Sequence, residues 1–258
     1  MKKIALTSLL AVAAVSGANA ANVIDGNPLY RPDKGHFYSE TTLSTHSLGM
    51  DAYGLGEEFG YGVTDKLSVA VGLGLAERDW FENYAWNSMA FGLNYRVLDR
   101  GMWMADVYGE YDVGGIWAKH GSFMKKANTN YAWLVGTRAG FTQGAWTVAG
   151  HVDFTYANTE SFNWDDDGIH TLDLGLDAQY VLDSHWNFVG GVEYHAFPKK
   201  ALWNRNLGSW TGMLGANYNF DATKYVGAYI ERTLGHVAEG AWEVLDGFGM
   251  GVKFGIDF

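Results

Sequence analysis

The stretch Gly247 to Phe258, G-F-G-M-G-V-K-F-G-I-D-F, decides how this chain is to be read. Phe248, Met250, Val252, Phe254, Ile256 and Phe258 are large and apolar, whereas Gly247, Gly249, Gly251, Lys253, Gly255 and Asp257 are small or charged. Period two without a slip marks a β-strand whose two faces meet different media. A soluble sheet would hide the apolar face in a core and show a polar one to water. The remaining chain must say which face is hidden.

From residue 36 onward the pattern recurs in about twelve segments, at 36–48, 52–63, 67–76, 88–97, 102–112, 129–141, 145–157, 169–181, 186–197, 206–218, 224–235 and 247–258. Each is close to the ~9–11 residues that a tilted membrane strand needs. The three prolines, Pro28, Pro32 and Pro198, fall outside them, as a hydrogen-bonded ladder requires. Five connections are tight and rich in turn formers: 64–66, 98–101, 142–144, 182–185 and 219–223. They alternate with connections that are mostly longer and more polar, at 77–87, 113–128, 158–168, 198–205 and 236–246, while the link at 49–51 is short.

Alternation assigns the faces. Leu67, Val69, Val71, Leu73 and Leu75 oppose Ser68, Ala70, Gly72, Gly74 and Ala76; Met89, Phe91, Leu93, Tyr95 and Val97 oppose Ser88, Ala90, Gly92, Asn94 and Arg96. Leu172, Leu174, Leu176, Ala178 and Tyr180 likewise oppose Thr171, Asp173, Gly175, Asp177 and Gln179. The second face is too rich in glycine and carboxylates to be an ordinary water-facing surface. Lipid outside and a polar interior fit both sets. Aromatic residues gather next to the tight turns (Tyr61, Tyr95, Trp103, Phe141, Trp146, Tyr180, Trp186, Tyr218, Tyr225, Phe258) and at the opposite ends (Trp80, Trp86, Tyr131, Trp133, Tyr156, Tyr194, Trp203, Trp210, Trp242), as two girdles at lipid headgroups would.

The terminal stretch resembles the C-terminal signature of Gram-negative outer-membrane β-barrels, whose assembly machinery recognises a final Phe preceded by alternating apolar residues. The resemblance implies that Phe254, Ile256 and Phe258 carry the assembly signal, and that the fold is an all-β, single closed antiparallel transmembrane barrel of about 12 strands. Short turns would then be periplasmic and longer loops extracellular. Twelve-stranded members of the superfamily include diffusion channels, a phospholipase and autotransporter translocators, and no motif here selects among them.

Export is expected from residues 1–20. Lys2 and Lys3, the apolar run Ile4 to Val15 and Ala18-Asn19-Ala20 form a cleaved signal peptide, whose apolar part is too short to span a bilayer. Residues 21–35 lack either period and carry two prolines. They are expected to be an irregular periplasmic segment, a mobile tail rather than a plug, because termini are usually loose. Residues 36–258 form the barrel, in the outer membrane. Without the signal peptide the chain has 16 basic and 29 acidic side chains, since two of the 18 Lys+Arg go with it, and its net charge falls from −11 to −13. Nucleic acid is therefore not an expected partner. The expected partners are outer-membrane lipid and lipopolysaccharide, the barrel assembly machinery and small solutes; no cofactor is expected, and the sequence does not set the oligomeric state.

The inward set holds Glu58, Asp106, Glu110, Asp112, Asp153, Asp173, Asp177, Glu193 and Glu231 against Arg96, Arg138 and Lys253, with His151 and His195 near them in pattern. Such a wall lowers the energy of cations and disfavours anions. An interior of ion pairs filling a closed barrel is the competing reading, and twelve strands lie between filled barrels and wide pores. The many small inward residues favour a narrow opening. The leading expectation is a porin-like channel for passive diffusion of small cationic or neutral hydrophilic solutes. A closed structural or adhesive barrel is the first alternative.

A surface hydrolase is the second, built on the loop N-W-D-D-D-G-I-H with Asp165, Asp166, Asp167 and His170. The loop does not follow the D-x-D-x-D-G calcium pattern and reads as a solvated acidic loop. His46 with Ser47, and Ser184 with His185, lack a third member, so no catalytic residue and no metal site is assigned. Lys125 and Lys126 read as a solvated charge pair.

Two places break the pattern. The first segment alternates weakly, and strict alternation in the second puts Glu57 among the lipid-facing Tyr53, Leu55, Phe59 and Tyr61. A bulge, a neighbouring subunit or a depth near the interface is expected to relieve it.

Overall fold

The computed structural model describes residues 26–46, 52–78, 83–117, 130–158, 169–197, 207–236 and 247–258. Twelve strands run through them: β1 Phe37–His46, β2 Ala52–Gly62, β3 Leu67–Arg78, β4 Asn83–Arg100, β5 Trp103–Trp117, β6 Asn130–Gln143, β7 Trp146–Asn158, β8 Ile169–Val181, β9 Trp186–Phe197, β10 Leu207–Asp221, β11 Lys224–His236 and β12 Gly247–Asp257. Each pairs antiparallel with its sequence neighbours, and β1 also pairs with β12, which closes the sheet. At the seam the Phe37 amide donates to the Phe258 carbonyl (2.7 Å) and the Phe258 amide returns the bond (2.8 Å). The signal peptide lies outside the described residues.

At three of the five tight turns the preceding strands, β4, β6 and β10, overrun their expected ends, because two-residue hairpins suffice there. Gly101 and Gly144 both have φ of 60°, the left-handed conformation that glycine enters without a Cβ penalty. In the turn before β9, the exposed Asp183 carboxylate accepts the amides of His185 (2.7 Å) and Trp186 (2.8 Å). These bonds hold its pKa below the usual carboxylate value.

Side-chain exposure follows the expected inversion. Leu214 (68 %), Val135 (57 %) and Leu93 (53 %) stand on the outer surface, while Asn187 (0 %), Asp106 (1 %) and Asp153 (2 %) are buried inside. A large apolar side chain gains roughly 1.5–3 kcal/mol on leaving water. A continuous outer belt of them is stable only in an apolar solvent, and a closed ladder leaves no backbone edge exposed to it. Outward rings pair near the turns, as Trp146 with Tyr180 (4.7 Å) and Trp186 with Tyr218 (5.1 Å), and toward the other end, as Trp133 with Tyr156 (5.7 Å) and Tyr194 with Trp210 (4.8 Å). Trp80, Trp203 and Trp242 lie outside the described residues. Tyr225 corrects the expected girdle. It is 1 % exposed and points inward, because it shares parity with Glu231 while Val226 and Ile230 face out.

Glu57 faces outward at mid-strand, and the register through it is unbroken on both sides, so no bulge relieves it. Two hydroxyls on β1 do: Ser39 Oγ donates to Oε1 at 2.6 Å and Thr41 Oγ1 to Oε2 at 2.5 Å. The weak alternation of β1 and the misplaced acid are therefore one feature. Replacing Ser39 by Ala together with Thr41 by Val leaves the carboxylate without these donors. That should cost about 1–3 kcal/mol in denaturant unfolding from lipid vesicles, with Glu57→Leu in the same background recovering the loss.

Candidate functional site

Parity places every sequence-predicted inward charge, from Glu58 and Arg96 to Glu231 and Lys253, on the inner wall. The inward glycines do not leave the space that their size suggests. A Cβ on Gly60 would stand 1.9 Å from the Tyr38 ring, and one on Gly255 would stand 2.0 Å from the ring of Tyr225. Long side chains lie across glycines of the neighbouring strand, and their ends meet charges. Three clusters result.

The first closes on the N-terminal segment. Asp106 on β5, whose side chain is fully buried, accepts Arg96 Nε (2.7 Å) and Arg138 Nε (2.8 Å). Two guanidinium groups on one carboxylate leave donors over. Arg96 Nη2 gives one to the Leu29 carbonyl (2.6 Å) and Arg138 Nη2 one to the Tyr30 carbonyl (3.2 Å). Lys34 and Gly35 pair with Gly62 on β2, while Gly26 packs against Val189 and Asn217 on β9 and β10. The segment thus crosses the lumen at the tight-turn end, with Leu29 2 % exposed. Residues 26–35 are a plug and not a mobile tail. Arg31 fastens it to the β2–β3 turn through the carbonyls of Thr64 (3.0 Å) and Asp65.

The second cluster sits by the seam. Glu40 accepts Lys253 Nζ (3.0 Å) and the Tyr225 hydroxyl, and Glu58 accepts the hydroxyl of Tyr38. Sequence reasoning missed Glu40 because β1 alternates weakly; its parity with Tyr38 was the available signal. Glu110 and Asp112 stand on β5, with Asp112 6 % exposed.

The third lies on β7, β8 and β9 and brings together His151, Asp153, Asp173, Asp177, Glu193 and His195. His195 Nδ1 meets Asp173 Oδ1 at 2.9 Å, and His151 Nδ1 meets Asp177 Oδ2 at 3.0 Å. Tyr108 donates to Asp153. Glu193 stands between the two imidazoles, Oε1 3.6 Å from His151 Nε2 and Oε2 3.7 Å from His195 Nε2.

The surface alternatives gain no such convergence. His170 faces outward, its ring 5.1 Å from Tyr156 and 5.7 Å from Phe154, while Asp165, Asp166 and Asp167 lie outside the described residues. Ser184 Oγ lies 3.0 Å from His185 Nδ1 in an exposed turn, but the adjacent Asp183 carboxylate is bonded to backbone amides. Lys125, Lys126 and Ser47 are likewise outside.

No family model matches this sequence, and no curated protein matches it. Solved structures do. The NanC porin superposes with a TM-score of 0.66 at 7 % identity, covering 84 % of this chain and 98 % of that one. The chain has the outer-membrane β-barrel fold. An outer-membrane channel from Pseudomonas putida F1 gives 0.61 at 11 % identity, over 92 % and 100 % of the two chains. The KdgM porin, solved in complex with disordered oligogalacturonate, gives 0.55 at 10 %, over 84 % and 98 %. Identities at that level establish shared architecture and leave the lumen chemistry to be read from this chain's own residues.

The buried Asp106 holds two arginines that would otherwise repel each other. Asp106→Ala should destabilise the barrel by roughly 3–5 kcal/mol, the cost of breaking a buried ion pair. A fall in the denaturant midpoint in vesicles measures it, and Asp99→Ala, on an exposed partner of Arg96, should have little effect.

Proposed function

We propose that this protein is an outer-membrane channel, exported by its N-terminal signal peptide, through which small hydrophilic solutes, cationic or neutral, diffuse passively. The observation that carries the reading is the inner wall. Carboxylates from β1, β2, β5, β7, β8, β9 and β11 project inward in a fold shared with porins, and Arg96 and Arg138 are spent on Asp106 and the plug. A polyanion such as the oligogalacturonate held by KdgM meets repulsion from such a wall, whereas a cation is stabilised as it sheds water. The aromatic belts set the barrel's depth in the bilayer, and Phe254, Ile256 and Phe258 present the assembly signal, Phe258 being 65 % exposed on the outer face. Lipid, lipopolysaccharide and the assembly machinery are the accompanying partners. The plug makes the channel narrow and gives it a place to gate.

Purified protein in planar bilayers should show stable openings whose reversal potential in a salt gradient indicates cation preference. Asp173→Asn with Asp177→Asn should lower that preference, and unchanged selectivity would take both residues out of the path. Deleting residues 26–32 should raise unitary conductance severalfold. Silence from both the full chain and this deletion would favour the closed barrel.

A further inference from the structure

The third cluster holds more than a cation-friendly wall. We propose that His151, Asp153 and Glu193 form a binding site for a single divalent first-row transition-metal ion inside the barrel. The imidazole nitrogen and carboxylate oxygens of this triad lie within 4.8 Å of one another, close enough to ligate one centre. His151 is the decisive residue. Its side chain is 10 % exposed, its Nε2 has no hydrogen-bond partner, and that atom points between Asp153 Oδ2 (3.9 Å) and Glu193 Oε1 (3.6 Å). Glu193 Oε1 is also buried without a hydrogen-bond partner. A buried ring nitrogen beside a carboxylate oxygen, neither of them hydrogen-bonded, leaves two ligand atoms that one metal ion would satisfy together.

The surroundings match a ligand shell and not only a charge cluster. Asp177 binds the other ring nitrogen of His151 at 3.0 Å, which orients the ring with Nε2 toward Asp153 and Glu193, the carboxylate–histidine arrangement that supports metal-bound imidazoles. The ring reaches Asp177 because Gly175 lies beneath it: a Cβ there would stand 2.1 Å from His151 Cε1. Arg138, the register partner of His151, is held by Asp106 and by the plug carbonyl of Tyr30.

One imidazole and two carboxylates suit zinc, nickel, cobalt or copper better than calcium or magnesium, which prefer all-oxygen shells. Glu193 also belongs to a second triad with Asp173 and His195. Its two oxygens therefore face two adjoining stations, a geometry for passing an ion along the wall. The proposal deepens the channel reading by naming a solute class for the same lumen, and its test is independent of conductance.

Isothermal titration of tag-free, folded protein in detergent with zinc chloride should show one ion bound per chain. Cobalt should give visible d–d absorption that zinc abolishes. His151→Ala and the near-isosteric Glu193→Gln should each weaken binding at least 100-fold, and Asp177→Asn about 10-fold. His170→Ala, altering an imidazole on the outer face, should leave it unchanged. Heat-modified migration on gels confirms that each variant is folded. No zinc binding by the wild type, or equal binding by folded Glu193→Gln, would overturn the site. Ion binding by a barrel silent in bilayers would keep the site and discard the channel; conductance without ion binding would do the reverse.

Discussion

Every structural feature of this protein depends on one closure, the pairing of β1 with β12. In hydrocarbon no water is present to satisfy an amide or carbonyl, so a sheet with free edges could not stay there. The reciprocal bonds between Phe37 and Phe258 end the seam on the last residue of the chain. Once the ladder is closed, strand alternation divides the side chains into two populations with opposite solvents. The outward population can be apolar throughout, and the inward one is free to be charged. Glu57 shows how strict this division is, since its outward carboxylate is answered by two hydroxyls from the neighbouring strand.

Inside, small residues and long ones work as pairs. Glycines at Gly60, Gly175 and Gly255 give room for Tyr38, His151 and Tyr225 to lie along the wall instead of standing into the lumen. This differs from the sequence-based inference that small inward residues measure open cross-section. What they provide is lateral room, and polar tips use it to reach partners on the next strand, as Tyr38 reaches Glu58, or two strands away, as Tyr225 reaches Glu40. The lumen is therefore organised into clusters with defined geometry. The arginine pair on Asp106 anchors the plug, the tyrosines and Lys253 serve the glutamates near the seam, and the two histidines share Glu193.

Much of the fold was legible because period two is a physical consequence of a strand between two solvents. Leu67 to Ala76 and Gly247 to Phe258 show it without interruption, and strand number, antiparallel order and the inward charges all follow from it. The misreadings have equally physical causes. Tyr225 was assigned to a girdle because it is aromatic and near a turn, although its parity with Glu231 pointed inward. A mobile tail was preferred to a plug because the plug's anchors at Leu29 and Tyr30 are backbone carbonyls, which no side-chain pattern displays. The convergence of His151, Asp153 and Glu193 was hidden because those residues come from β7 and β9 and meet only through the register of both with β8. Composition located the inward face, but only the register could say which members of that face touch.

The claim beneath all of this is that alternate residues meet lipid and lumen, and site-directed spin labelling tests it most directly. The chain contains no cysteine, so single cysteines along 209–217 of β10 can each be labelled cleanly in protein reconstituted into vesicles. Labels at the outward Trp210, Gly212, Leu214 and Ala216 should collide readily with dissolved oxygen and little with an aqueous nickel chelate. Labels at Ser209, Thr211, Met213, Gly215 and Asn217 should show markedly lower oxygen accessibility. Accessibility to oxygen without this two-residue period, or a nickel response at Leu214 equal to that of a free aqueous label, would contradict the account.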